Sequence, residues 1–298
     1  MRLPLRRQEI LVLPLILMGL SGCGWIPLLK PKEPSTIDLF QLEEESKREA
    51  SIQKGSATQK TPMQPHSKQI TAASPRRAPL APVAVTPEAA TACIRSAGIP
   101  PETTVAADPT NYGNREPTDD QGKPVNHVPM LIVLHETVAS EKETLNLFRT
   151  RHDNESEQSS YHMVIAQDGR RIRTVGDAYR AYGAGDSAIS NYTIRLKNNS
   201  VGSLNNIALH VSLVSPKDGR GDNATHSGYT KRQYASTAAQ VLIWQATYGI
   251  PITYMTTHKA IDRSNTRKDP RSFDSREFGD AYRHLAASCG LQAYAARR

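Results

Sequence analysis

Two histidines and one aspartate stand where side chains could converge on a metal: His135 at the end of an apolar strand-like run, His258 after a Tyr-rich strand-like stretch, and Asp269 further on. Zinc takes neutral imidazole and carboxylate ligands, and three protein ligands leave the fourth tetrahedral position for water or substrate. The chain holds nine histidines and many acids, so spacing alone equally fits solvated or core histidines. The surrounding elements must therefore decide.

Those elements alternate between strand and helix patterns. Met130 to Leu134 reads as a buried strand and Glu141 to Arg151 as a helix. Tyr161 to Ile165, an Asp168-Gly169 turn and Arg171 to Val175 read as a hairpin. Ile207 to Val214 is a further apolar strand. Thr230 to Tyr248 has helical spacing, a Thr cap, and a stop at Gly249 and Pro251, and a last helix covers Ser275 to Ser288. The pattern predicts one α/β domain over residues 126–298, with a mixed central β-sheet flanked by helices.

The rest of the chain reads as delivery. Arg2, Arg6 and Arg7 precede the apolar run Ile10 to Leu20, too short to span as a mature helix, which reads as a signal peptide over residues 1–22. Leu20-Ser21-Gly22-Cys23 has the small residues that a lipoprotein signal peptidase accepts before an acylated Cys. Two or three acyl chains on Cys23 would anchor the chain without a transmembrane helix. Gly24 follows the anchor where an Asp would signal inner-membrane retention, which points to the outer membrane, facing the periplasm. Residues 23–125 read as a tether rich in Pro, Ser, Thr and Gln, with a short helix over Glu88 to Gly98. Cys93 and Cys289 remain, either paired, as an exported chain permits, or as two separate small hydrophobic residues. The net charge of +8 suits an anionic wall polymer or membrane surface, and no basic stripe interleaved with aromatics argues for nucleic acid.

Three segments carry a resemblance: Leu131-Ile132-Val133-Leu134-His135-Glu136-Thr137, Ser160-Tyr161-His162-Met163-Val164-Ile165-Ala166-Gln167-Asp168-Gly169, and His258 through Arg267-Lys268-Asp269-Pro270. In order and spacing they resemble the zinc N-acetylmuramoyl-L-alanine amidases related to peptidoglycan recognition proteins and amidase-type phage lysozymes, over roughly Val128 to His284. The resemblance implies Zn2+ held by His135, His258 and Asp269. It also implies a substrate of peptidoglycan or muropeptides, cut between N-acetylmuramic acid and L-alanine by a zinc-bound water. Tyr161 matches a tyrosine that assists that water in the phage and recognition-protein branches, while His162, next in the strand, is expected to be structural.

Two departures bear on catalysis. Ile207-Ala208-Leu209-His210 stands where the bacterial branch carries an Ile-Gly-Ile-Glu pattern with a catalytic Glu, so His210 is expected to face the metal with Tyr161 and replace that Glu as base or hydrogen-bond partner. The family's charge-stabilising Lys falls at Arg267, with Lys268 beside it, and either can supply the cation. Asn205, Asn206 and the loop from Gly183 to Asp186 are candidate substrate contacts. The missing Glu keeps open a second reading, a peptidoglycan-binding lipoprotein without activity.

The lipobox generates a direct prediction. Cys23→Ser should move the protein from the membrane to the soluble fraction, read by immunoblot after a high-salt wash. Retention of the variant in washed membranes would contradict the anchor.

Overall fold

The computed structural model describes residues 85–292, except Asn198 and Asp222. Cys23, the expected signal peptide and the part of the expected tether up to residue 84 lie outside the described residues. Among the described residues no helix is long and apolar enough to cross a membrane.

Six strands form one mixed sheet in the order β1 (Glu102–Thr104), β5 (Arg171–Arg173), β4 (Met163–Ile165), β7 (Ala208–Leu213), β3 (Leu131–Glu136) and β8 (Met255–Thr257). The strands β4, β7, β3 and β8 run parallel, and β5 returns antiparallel to β4. Every residue of β3 and β7 is buried, which explains their unbroken apolar runs. Alternation along β3 sends Ile132 and Leu134 to one face and Leu131, Val133 and His135 to the other.

The first face packs on helices α1 (Pro87–Ser96), α3 (Lys231–Tyr248) and α5 (Ser275–Ser288), with Trp244, Leu242 and Phe278 in one core. The second face is covered near Leu131 and Val133 by Ala184, Ile194, Leu196 and Leu204. Helix α2 (Glu141–Arg149) starts in a reciprocal Ser140–Glu143 cap, and α3 in a Thr230–Gln233 cap. Helix α3 stops at Gly249, whose φ of 70° is the left-handed conformation glycine adopts most readily. The α/β class with a mixed sheet and flanking helices is the one expected.

Several boundaries differ from the expectation. The first strand reaches Glu136, so His135 lies inside it, and the strand expected from Tyr161 begins at Met163. The larger correction concerns the tether expected over residues 23–125. Helix α1 belongs to the domain, with Ala90 and Ile94 fully buried. Strand β1 pairs with β5, and β2 (Tyr112–Asn114) pairs with β6 (Tyr179–Ala181) in a separate ribbon. Strand β1 escaped notice because its three residues are all exposed and carry no hydrophobic pattern. The alternative left open for the cysteines resolves to a Cys93–Cys289 disulfide, which ties α1 to the end of α5 across 196 residues of sequence.

Cross-links of this kind stabilise mainly by restricting the unfolded chain, typically by about 2–4 kcal/mol. Replacing both cysteines with Ala should therefore lower the thermal midpoint by several degrees while leaving metal content unchanged, as read by calorimetry and elemental analysis. An unchanged midpoint would show that α1 docks without the staple.

Candidate metal centre and active-site cleft

His135 leaves β3 with its side chain fully buried, and α4 (His258–Ile261) begins with His258 directly after β8, capped by Thr257. Since β8 pairs with β3, the two imidazoles arrive side by side, with ring centroids 4.6 Å apart. Asp269 reaches both. Its Oδ2 lies 3.2 Å from His135 Nδ1, and His258 Nδ1 lies 3.0 Å from Oδ1 and 3.1 Å from Oδ2. Burial would raise the Asp269 carboxyl, but hydrogen bonds from His135 and His258 outweigh it and carry it well below the usual carboxylate range. Burial pulls His135 down to about 4 despite the opposing pull of Asp269.

A metal fits these residues. Two ring nitrogens and a carboxylate oxygen, all from buried residues, lie within 4.8 Å of one another, a donor set of the hardness zinc accepts. His258 Nε2 is buried without a partner, so only its Nδ1 is engaged, on the side of Asp269.

The centre opens into a cleft of about 490 Å³, lined by His258, Asp269, Tyr161, Arg267 and Lys268. Tyr161 stacks on His135 at 4.5 Å between ring centroids, and Phe148 meets it edge-on. Burial, and next the charge of Asp269, push the Tyr161 phenol upward, so it keeps its proton at neutral pH. Arg267 and Lys268 are exposed, and the Arg267 charge is among those felt by both His135 and Tyr161.

The structure puts His210 elsewhere than expected. Strand register pairs Val133 with His210, so His210 lies beside β3 and one step behind His135, and neither ring lines the cleft. Its Nδ1 is 2.9 Å from His135 Nε2, its side chain is fully buried, and its Nε2 has no partner. Gly183 is what permits this packing: a Cβ there would lie 2.9 Å from the His210 ring and 3.0 Å from Tyr161. His162 sits against His210 from the far side. Its Nδ1 accepts the His210 backbone N–H at 3.0 Å, so its other nitrogen carries the proton and donates to the Tyr179 carbonyl at 3.1 Å. Burial, and then neighbouring positive charge, hold both His162 and His210 well below the ordinary imidazole value.

Asn205 and Asn206 act on the backbone. Asn205 Oδ1 accepts from Gly183 and Ala184, and Asn206 holds Glu116 and Asn126. Sequence reading missed Glu136, whose carboxylate is fully enclosed. Arg271 donates to it through its backbone N–H at 3.1 Å and through its guanidinium, while His226, Ser215 and Tyr229 donate to the other oxygen at 3.0–3.2 Å. Arg271 follows Asp269 by two residues, so this pair fastens the Asp269 loop to the end of β3. The signal was an acid inside an apolar run, because a buried carboxylate demands a partner.

The chain matches the family Amidase_2, described as N-acetylmuramoyl-L-alanine amidase, over residues 125–272. No curated protein matches it. Similar solved structures include a selenomethionine derivative of AmpD, at 20% identity over 60% of this chain and 93% of that one, with a TM-score of 0.43. AmpDh3 from Pseudomonas aeruginosa, solved with anhydromuramic pentapeptide, matches at 19% identity over 58% of this chain and 62% of that one, with a TM-score of 0.40. The endolysin amidase LysCS from Clostridium intestinale matches at 17% identity, 61% and 95% coverage, and a TM-score of 0.37. The chain belongs, through residues 125–272, to the N-acetylmuramoyl-L-alanine amidase family, and it is a hydrolase of that class.

Three buried neutral imidazoles dictate the pH response of the metal-free protein. A folded value below 6.5 means that the unfolded chain binds more protons, so stability falls as pH drops from about 6.5 toward the His135 value of about 4. Each such group contributes a slope of up to about 1.4 kcal/mol per pH unit. Denaturant unfolding of chelated protein should weaken steadily across that window, and His210→Gln should shallow the slope. A flat profile from pH 6.5 to 4 would contradict neutral burial.

Proposed function

We propose that the chain hydrolyses the amide between N-acetylmuramic acid and L-alanine at this cleft, with one zinc held by His135, His258 and Asp269. The observation that carries the reading is the convergence of those three residues, with His258 and Asp269 lining the cleft and His135 buried directly against them, in a chain of this family. When bound, zinc supplies Lewis acidity that polarises the scissile carbonyl and lowers the pKa of water.

The residues divide the remaining work. With a metal held through Nδ1, the His135 proton would sit on Nε2 and be donated to His210 Nδ1, 2.9 Å away, which would fix the ring's tautomer and tilt. His210 is therefore a positioning residue, in place of the base expected from sequence. Tyr161 holds its proton on Oη and faces the cleft, so it acts as a hydrogen-bond donor to oxygen that gains charge in the transition state. Arg267, whose charge reaches the same two rings, is the cation that stabilises that oxygen, with Lys268 next to it on the rim. The fixed donors act in a cleft partly shielded from water, where each is worth more than in solution.

The same reading includes delivery. Acylated Cys23 would hold the enzyme on the outer membrane, and the stretch up to residue 84 would let the domain sample peptidoglycan or shed muropeptides.

Tyr161→Phe should lower kcat on a defined muropeptide by about 100-fold or more at parental zinc content and melting temperature. His210→Gln should instead weaken zinc affinity by about 10- to 100-fold, measured by competition with a chromogenic chelator. Parental turnover in Tyr161→Phe, together with unchanged zinc affinity in His210→Gln, would reverse these roles.

A further inference from the structure

A second cleft, of about 510 Å³, opens beside the metal cleft. The two share a wall. Gln158 lines the second cleft while Ser159 and Tyr161 line the first, and the Ser160 N–H bonds to the Tyr182 carbonyl at 3.2 Å, so the segment from Gln158 to Tyr161 forms a ridge between them.

The feature that needs explaining there is Arg180. It comes from the small β2–β6 ribbon, lines the cleft, and is 6% exposed. Its guanidinium lies over the Tyr182 ring at 5.2 Å and donates one hydrogen bond, at 3.2 Å, to Asn199 Oδ1. Among the described residues no carboxylate pairs with it, and its buried Nε has no acceptor. A buried cation without an anion is costly, and stacking on one ring offsets only part of that cost. Space for the arrangement is built in: Gly113, opposite Arg180 in the ribbon, would place a Cβ 2.7 Å from the Tyr182 hydroxyl and 3.1 Å from Arg180 Nη2.

The rest of the cleft says what kind of ligand suits it. Asn114 and Gln158 line it, the Gln158 amide nitrogen donating to the His152 carbonyl at 3.0 Å, and so do the exposed acids Glu116, Asp153 and Glu155. Asp153 is paired with Arg151 and Glu155 accepts from the Ser200 N–H, and together with Glu116 they disfavour a ligand rich in carboxylates. Amides, acids and an under-used guanidinium instead match hydroxyls and the carbonyl of an acetamido group, all uncharged. The metal cleft carries two exposed cations on its rim, Arg267 and Lys268, beside exposed Glu143.

We propose that the second cleft binds the saccharide limb of the substrate, a chain of N-acetylated hexosamines, with Arg180 donating to an acetamido carbonyl. The acidic stem peptide leaves along the cationic rim of the metal cleft. The choice of an amino-sugar ligand rests on the amidase reading, because the scissile amide joins a sugar to a peptide and sends the two in different directions.

The test uses the full chain, stripped of metal with a chelator, and chitotriose as the probe, a neutral N-acetylated trisaccharide with no peptide. Saturable binding should shift the Arg180 Nε–H resonance. Arg180→Gln should weaken binding about ten-fold or more, as expected for a lost hydrogen bond from a charged donor. Gln158→Ala, a change on the ridge that leaves the Arg180 stack in place, should weaken it several-fold and keeps the test open if the first variant fails to fold. Absence of saturable binding at millimolar trisaccharide would overturn the proposal, as would binding that neither substitution weakens, or a sugar-free stem peptide that shifts the Arg180 resonance in place of the trisaccharide. No bond is cut in this assay. Trisaccharide binding by a chain that leaves muropeptides intact would therefore count against the amidase reading and not against the cleft.

Discussion

One buried carboxylate shared by two imidazoles is the interaction on which this structure depends. Asp269 accepts from or faces His135 and His258 at 3.0–3.2 Å, and it comes from a loop with no regular structure of its own. Loops of that kind wander unless fastened. The fastening is Glu136, one residue beyond His135 in β3, which holds Arg271 and thereby the loop. The same strand thus supplies a ligand on one face and a loop anchor on the other, which ties the position of the metal site to the register of the sheet. Behind the ligands, His210 and His162 fill the space between sheet and loop with neutral rings, and Gly183 gives them room.

Much of this was legible in the residues. The apolar runs announced the buried parallel strands, and the caps at Thr230 and Gly249 bounded α3 to within a residue. The candidate ligands were legible as residue types, and the structure brings His135, His258 and Asp269 together as a group that could hold a metal. His210 was misplaced for a physical reason. Sequence shows that it sits on a strand, but only register shows that it lies beside Val133, one step behind His135, where the neighbouring ring stands between it and the cleft. Glu136 was overlooked because its partners Arg271, His226, Ser215 and Tyr229 are scattered over the last half of the chain. The start of the domain was obscured likewise, since exposed Glu102–Thr104 becomes a strand only by pairing with β5.

Charge divides the surface around the site. Arg267 and Lys268, with Glu143 nearby, border the metal cleft, and exposed acids border the neighbouring one, with the segment from Gln158 to Tyr161 between them. A substrate with a neutral arm and an acidic arm finds one preferred orientation across that ridge. Orientation of this sort places the scissile bond over the metal before any bond changes, which is where much of an enzyme's advantage originates.

The central claim is that His135, His258 and Asp269 make the chain a metal-dependent amidase. It is tested most directly by mass spectrometry of a defined muropeptide incubated with chelated protein and with protein restored by one equivalent of zinc. The account predicts no cleavage in the first sample. It predicts separate stem peptide and saccharide products in the second, and none when Asp269→Asn is given the same zinc. Products released at equal rates by the chelated and the restored protein would contradict it.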